Sequence, residues 1–218
     1  MAGRKPSHPQ PTRILLVRHG VTPTTGSVLP GRARGLHLSD TGRAQADTVA
    51  ERIASLDGHG SPVAVYASPL ERTAETARPI ARRLGLRVRT DRGLIECDFG
   101  QWTGSKLKDL AARPEWKEVQ RSPSAFRFPG GESFLEMQTR IAETLARLVV
   151  RHRGETVVAV SHADPIKAAL ASAAGIHLDL FQRLIVSPCS VSVLASANGA
   201  THVLTVNSTA SLADLVVS

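Results

Sequence analysis

The sequence is poor in cysteine, aromatic residues and long apolar runs. Its 218 residues include two cysteines, and aromatic residues make up 4%. Cys97 and Cys189 cannot build a disulfide framework, and they lack the close Cys and His spacing of a structural zinc site. The few aromatic residues leave little material for stacking single-stranded nucleic acid. No apolar run approaches the roughly 18–20 residues of a membrane span, so we expect a cytoplasmic protein with no membrane partner.

The net charge is strongly positive, at +8. Most of the excess is arginine, which is scattered along predicted helices and not gathered into one block, so we expect no nucleic-acid partner. A generally positive field also attracts small phosphorylated molecules. The composition therefore favours small anionic ligands.

Alternating apolar strands and amphipathic helices predict a single α/β domain over residues 13–207. We expect a three-layer α/β/α sandwich on a mainly parallel sheet. A third, short strand is predicted at residues 86–88, and Asn198-Gly199 predicts the turn of a final hairpin. Residues 91–131 are irregular, with one short helix near residues 106–112, and are expected to form a cap-like excursion over the sheet. Residues 1–12 are expected to be a disordered leader, and residues 208–218 a C-terminal tail.

Two predicted strands end in a histidine. The apolar run Ile14-Leu15-Leu16-Val17 leads into Arg18-His19-Gly20, and a later strand leads into Ser161-His162. The carboxyl ends of parallel strands meet at one sheet edge, where open α/β sheets bind ligands. Arg72, near the start of the helix after the second strand, is expected at the same edge. Two guanidiniums beside two imidazoles would form an anion pocket suited to a phosphoryl group.

Such a pocket favours nucleophilic chemistry. A neutral histidine is a good nucleophile toward phosphorus, and a phosphohistidine divides hydrolysis into two easier steps. Nearby arginines favour the neutral imidazole by charge repulsion. Glu96, on the excursion, is the best carboxyl candidate for general acid and then general base on water. The simpler alternatives are a hydrogen-bonded core histidine for His19 and for His162, and a solvated helix arginine for Arg72.

In these segments the sequence resembles the histidine phosphatase superfamily, in the branch of cofactor-dependent phosphoglycerate mutases and related phosphatases. The segments follow one another over residues 13–206 and include Leu16-Val17-Arg18-His19-Gly20, Leu38-Ser39-Asp40-Thr41-Gly42, Ser68-Pro69-Leu70-Glu71-Arg72, Phe128-Pro129-Gly130-Gly131-Glu132-Ser133 and Ser161-His162. The resemblance implies a phosphoglycerate mutase-like fold. It implies that His19 is the phosphorylated nucleophile, that Arg18, Arg72 and His162 hold the phosphate, and that Glu96 donates the proton.

Two positions depart from the family pattern. Thr25 stands where many members have an asparagine that contacts the phosphate, and Ala163 stands where glycine is frequent. We predict phosphate contacts from both, Thr25 as a weaker donor and Ala163 through its backbone N–H. The long insertions that build the substrate cap of phosphoglycerate mutases are not evident between Glu96 and Pro129. Because a shorter cap admits water more easily, this favours a phosphatase over a mutase.

The function predicted is therefore a phosphomonoesterase of the histidine acid phosphatase type, acting on small phosphorylated metabolites without a cofactor or metal ion. One alternative is a cofactor-dependent phosphoglycerate mutase or phosphomutase, which would share the pocket but return the phosphoryl group. Another is a catalytically weak protein that binds phosphorylated ligands. The patterns specify neither the substrate nor the assembly, for which a homodimer is the arrangement to test.

Overall fold

A six-stranded sheet organises residues 10–210, the part of the chain that the computed structural model describes. Its strands are β1 (Thr12–Arg18), β2 (Pro62–Ala67), β3 (Val88–Thr90), β4 (Thr156–Ser161), β5 (Val191–Ala197) and β6 (Ala200–Ser208). Their order across the sheet is β3-β2-β4-β1-β5-β6. The first four strands in that order are parallel to one another. Strand β5 pairs antiparallel with β1, and β6 pairs antiparallel with β5.

Strand β1 is central and buried on both faces. Ile14 and Leu16 belong to the hydrophobic cluster on one side of the sheet, and Leu15 and Val17 to the cluster on the other. A strand covered on both faces needs apolar side chains at every position, which explains the continuous apolar run in the sequence.

Helices cover both faces of the sheet. Helices α1 (Asp40–Ala54) and α2 (Glu71–Arg83) pack on one face, while α5 (Phe134–Arg151) and α6 (Ala163–Ala173) pack on the other. Two shorter helices, α3 (Leu107–Ala111) and α4 (Pro114–Arg121), lie between β3 and α5. The predicted three-layer α/β/α sandwich is therefore confirmed.

Side chains cap the helices that follow loops. The Ser39 hydroxyl accepts a hydrogen bond from the Gly42 N–H at the start of α1. At the start of α5, Ser133 and Glu136 form a reciprocal capping box. These caps fix where the two helices begin relative to the sheet.

The predicted excursion, residues 91–131, has an aromatic core of its own. The rings of Trp102, Phe126 and Phe128 lie 5.1–5.5 Å apart, and Phe128 continues the contact to Phe134 of α5. This aromatic chain joins the excursion to the helix layer on that side of the sheet.

Some local predictions differ from the structure. Strand β3 lies at residues 88–90 instead of 86–88, and the excursion contains the unpredicted helix α4. Strand β1 begins at Thr12, inside the predicted leader, and β6 ends at Ser208, inside the predicted tail. Residues 1–9 of the predicted leader and residues 211–218 of the predicted tail lie outside the described residues. The Asn198-Gly199 turn is present, with both residues at positive φ, as a type I′ hairpin requires.

None of the helices in residues 10–210 is long and apolar enough to cross a membrane.

Candidate active site

The carboxyl ends of β1 and β4 meet at one edge of the sheet. Arg18 is in register with Ser161, so the residues that follow the two strands, His19 and His162, lie side by side. Their ring centroids are 5.2 Å apart, and both side chains are buried. The backbone N–H of His19 donates to the Ser161 carbonyl at 3.0 Å, and this hydrogen bond joins the ends of the two strands. The structure thus brings together the two histidines that end the predicted strands.

The hydrogen bonds of His19 define its tautomer. Its Nδ1 lies 2.8 Å from the Gly20 carbonyl oxygen, which can only accept, so Nδ1 carries the proton. Its Nε2 accepts from Nε of Arg72 at 3.3 Å. Burial, reinforced by the positive charges of Arg72 and Arg18, lowers the pKa of His19 to about 3, against the effect of the bond to Gly20. His19 is therefore neutral near pH 7, with its lone pair on Nε2.

The hydrogen bonds of His162 place its ring proton on Nδ1 as well, but through a hydroxyl group. Its Nε2 lies 2.8 Å from the Ser68 hydroxyl oxygen. This oxygen accepts from the Leu70 N–H at 3.4 Å, and no hydrogen bond within residues 10–210 gives its proton another acceptor, so we assign the proton of the bond to Nε2 to the Ser68 hydroxyl. The ring proton then sits on Nδ1, which is buried without a hydrogen-bond partner among residues 10–210. Burial, followed by the charge of Arg72, holds the pKa of His162 well below its usual value.

Two arginines bring positive charge to the same place. Arg72 is completely buried; its Nη2 donates to the Gly31 carbonyl at 2.8 Å, and its Nη1 has no partner in the described part of the chain. Arg18 donates from Nη1 to the Val186 carbonyl at 2.7 Å, and its buried Nε is likewise unpaired within residues 10–210. Burial lowers the pKa of both guanidiniums, but arginine stays charged in proteins. Buried N–H groups without partners are costly, so these donors suit a bound anion.

Glu96 supplies a carboxyl group beside His162. One carboxyl oxygen accepts from the Cys97 N–H at 2.9 Å, and the other lies 3.9 Å from Nδ1 of His162. Burial and the nearby Asp164 raise the pKa of Glu96 to about 7, although the charges of Arg72 and Arg18 oppose the shift. A carboxyl whose pKa is raised toward neutrality can both give and take a proton near pH 7.

Thr25 and Ala163, the two residues that depart from the family pattern, lie in different places relative to the histidine pair. The Thr25 hydroxyl accepts from the Thr22 N–H at 2.9 Å and lies 3.0 Å from the Thr22 hydroxyl, so its contacts are within its own turn. Ala163 is the first residue of α6, directly after His162. The first N–H groups of a helix have no intrahelical partner, so the Ala163 N–H is free of the helix ladder. The structure therefore brings Ala163 next to the histidine pair and leaves Thr25 in the turn after β1.

The turn after His19 is held by close backbone contacts. A Cβ atom on Gly20 would lie 2.6 Å from the Gly42 carbonyl oxygen, and one on Gly42 would lie 2.0 Å from the Val21 carbonyl oxygen. The Thr76 hydroxyl accepts from the Gly20 N–H at 3.1 Å and donates to the Arg72 carbonyl at 2.8 Å. Helices α1 and α2 thus fix the backbone that carries His19.

The sequence did not assign a role in the site to Ser68, Thr76 or Asp164. The Ser68 hydroxyl bonds Nε2 of His162, Thr76 links Gly20 to Arg72, and the charge of Asp164 helps to raise the pKa of Glu96. Signals were available for two of them, because Ser68 opens the segment that contains Arg72 and Asp164 follows His162 by two residues.

Comparisons with known proteins give a consistent picture. The sequence model of the histidine phosphatase superfamily (branch 1) matches residues 14–209. Phosphoserine phosphatase 1 of Hydrogenobacter thermophilus is 31% identical over 94% of this chain and 96% of its own length. The solved structure of a mycobacterial glucosyl-3-phosphoglycerate phosphatase superposes with a TM-score of 0.82 at 26% identity, over 92% of this chain and all of that one.

A bifunctional protein of Mycobacterium tuberculosis is 35% identical over 91% of this chain. The alignment covers 54% of that relative, so the chain spans about half the length of the bifunctional protein.

Proposed function

The chain belongs to the histidine phosphatase superfamily, and we propose that it hydrolyses small phosphomonoesters through a phosphohistidine at His19. The observation that carries the proposal is the Nε2 lone pair of a neutral, buried His19 beside the guanidinium of Arg72. The names of two relatives, a phosphoserine phosphatase and a glucosyl-3-phosphoglycerate phosphatase, support small phosphorylated metabolites as the substrate class.

In the first step, Nε2 of His19 attacks phosphorus and an N–P bond forms. The bond from phosphorus to the ester oxygen breaks, and that oxygen takes both electrons and the Glu96 proton. Arg18, Arg72 and Nδ1–H of His162 hold the phosphoryl oxygens, where charge is spread in the transition state. Their unpaired donors are already oriented by bonds to backbone carbonyls and to Ser68, so little reorganisation is needed.

In the second step, Glu96 is a carboxylate and removes a proton from water. The water oxygen bonds to phosphorus, the N–P bond breaks, and its electrons return to Nε2 of His19. Inorganic phosphate leaves, and Glu96 is again protonated. A group with a pKa of about 7 suits both halves of this cycle.

The experiment is hydrolysis of 4-nitrophenyl phosphate with an excess of chelator, followed by a panel of small phosphate esters. We expect turnover by the wild-type protein and a loss of at least about a thousandfold in His19→Ala, as for other covalent nucleophiles. His152→Gln is the matched control, because His152 is also buried but bonds Tyr66 and Glu155 instead of the site. Undiminished hydrolysis by His19→Ala would overturn the proposal.

A further inference from the structure

We propose that Glu132, with Arg32 and Arg140, is a positioning cluster that holds Glu96 where it can protonate the leaving group. The inference rests on the proposed function, in which Glu96 is the proton donor. None of the three side chains is needed to bind phosphate in that mechanism. Their effect is transmitted through the backbone that carries Glu96.

Glu132 is the centre of the cluster. Its carboxylate accepts from Nη2 of Arg32 at 2.9 Å, from Nε and Nη2 of Arg140 at 2.9 Å each, and from the Asp98 N–H at 3.2 Å. Only 14% of the Glu132 side chain is exposed. Four charge-assisted or backbone bonds to one partly buried carboxylate fix it far better than a single surface ion pair would.

The two arginines then reach the backbone of Glu96. The Glu96 carbonyl accepts from Nε of Arg32 at 2.9 Å and from Nη2 of Arg140 at 3.4 Å. Nη1 of Arg140 donates to the carbonyls of Gly93 and Ile95, each at 2.8 Å. The Arg140 guanidinium therefore bonds three carbonyls within residues 93–96. The Arg32 guanidinium bonds one of these three, the carbonyl of Glu96.

This support matters because the segment has no regular ladder of its own. Glu96 lies between two short 3₁₀ turns, Arg92–Leu94 and Gly100–Trp102, and outside every strand of the sheet. In such a segment, side-chain donors replace the backbone bonds that a helix or strand would provide. The cluster draws its members from three places along the chain: the loop before α1, the approach to α5, and α5 itself.

Displacing a general acid slows the hydrolysis of some esters more than that of others. An ester with a poor leaving group needs the proton in the transition state, whereas one with a good leaving group depends on it less. Phenyl phosphate and 4-nitrophenyl phosphate form such a pair, with nearly the same shape and very different leaving groups. A merely structural role for Glu132 would reduce the hydrolysis of both esters equally.

The test compares kcat/KM for the two esters in Glu132→Gln and Arg32→Lys. We expect each variant to lose at least tenfold more activity on phenyl phosphate than on 4-nitrophenyl phosphate, with inhibition by inorganic phosphate within about twofold of wild type. The Arg32 side chain is 31% exposed, so Arg32→Lys keeps the test available if Glu132→Gln does not fold. The matched control is Glu51→Gln, which removes an ion pair between α1 and Arg83 of α2 that does not contact Glu96.

Equal losses on both esters, or no loss, would overturn the positioning role. Glu96→Gln, assayed in the same way, separates this result from a failure of the proposed function. If Glu96→Gln loses more activity on phenyl phosphate than on 4-nitrophenyl phosphate and the cluster variants do not, only the positioning role is wrong. If Glu96→Gln loses activity equally on both esters, Glu96 is not the proton donor and the positioning role fails with it, while hydrolysis through His19 is still decided by His19→Ala.

Discussion

Removing the Ser68 hydroxyl should impair catalysis by changing the tautomer of a neighbouring histidine. Ser68 is 1% exposed and bonds Nε2 of His162 at 2.8 Å. In Ser68→Ala the ring proton of His162 is free to move to Nε2, and Nδ1 would then present a lone pair to the phosphoryl oxygens instead of a donor. The substitution should therefore weaken transition-state binding without touching His19.

The magnitude follows from the energy of one hydrogen bond. A typical bond contributes about 0.5–1.5 kcal/mol net, and a buried group left without its partner costs about 1–3 kcal/mol. Since about 1.4 kcal/mol corresponds to a factor of ten in rate, we expect kcat/KM for 4-nitrophenyl phosphate to fall about tenfold in Ser68→Ala. Nitrogen-15 NMR of His162 should show the proton on Nδ1 in the wild-type protein and a shift toward Nε2 in the variant.

Ser190→Ala is the matched control. Ser190 is also completely buried, but its hydroxyl oxygen has no hydrogen-bond partner within residues 10–210. We expect its kcat/KM to stay within about twofold of wild type. A Ser68→Ala protein as active as wild type, or an equal loss in Ser190→Ala, would refute the role assigned to Ser68.

Three further perturbations test other parts of the site. For phenyl phosphate, kcat/KM should fall as the pH rises through the pKa of Glu96, about 7, and approach a tenfold fall per pH unit well above it, because the proton donor is lost. An alkaline fall in kcat/KM that persists in Glu96→Gln would contradict this assignment. Arg72→Lys keeps the positive charge but loses the planar guanidinium that bonds His19 and Gly31. We expect kcat/KM to fall about 10²–10³-fold, the usual cost of losing one oxyanion donor. A kcat/KM near the wild-type value would exclude a specific role for the guanidinium. Gly42→Ala places a Cβ atom 2.0 Å from the Val21 carbonyl oxygen. We expect this clash to lower the free energy of unfolding, measured by urea titration, by about 1–3 kcal/mol. Unchanged stability would show that the backbone at Gly42 and Val21 accommodates the Cβ atom without strain.

The sheet and the histidine pair were predictable because they depend on local patterns. The apolar run before Arg18 and the one before His162 indicate buried parallel strands, and the ends of such strands meet without further information. Helix α4 was missed although Pro114 stands at its first position, a common place for proline in a helix. Its eight residues are too few to show a clear helical period.

Contacts between distant segments could not be predicted from such patterns. Ser68 and His162 are 94 residues apart, and Arg32 and Glu132 are 100 residues apart. No periodicity or spacing rule links such pairs, because they meet only after the sheet has formed. For the same reason the sequence could name Glu96 as the carboxyl but could not show the arginines that hold its backbone.

The central claim is a covalent phosphohistidine at His19, and rapid quenching tests it most directly. The protein is mixed with excess 4-nitrophenyl phosphate, quenched within the first turnover, and digested for mass spectrometry under alkaline conditions that preserve phosphohistidine. We expect phosphate on the peptide containing His19, formed at least as fast as steady-state turnover and absent from His19→Ala. Full turnover with no phosphorylated His19 at any quench time would contradict the mechanism.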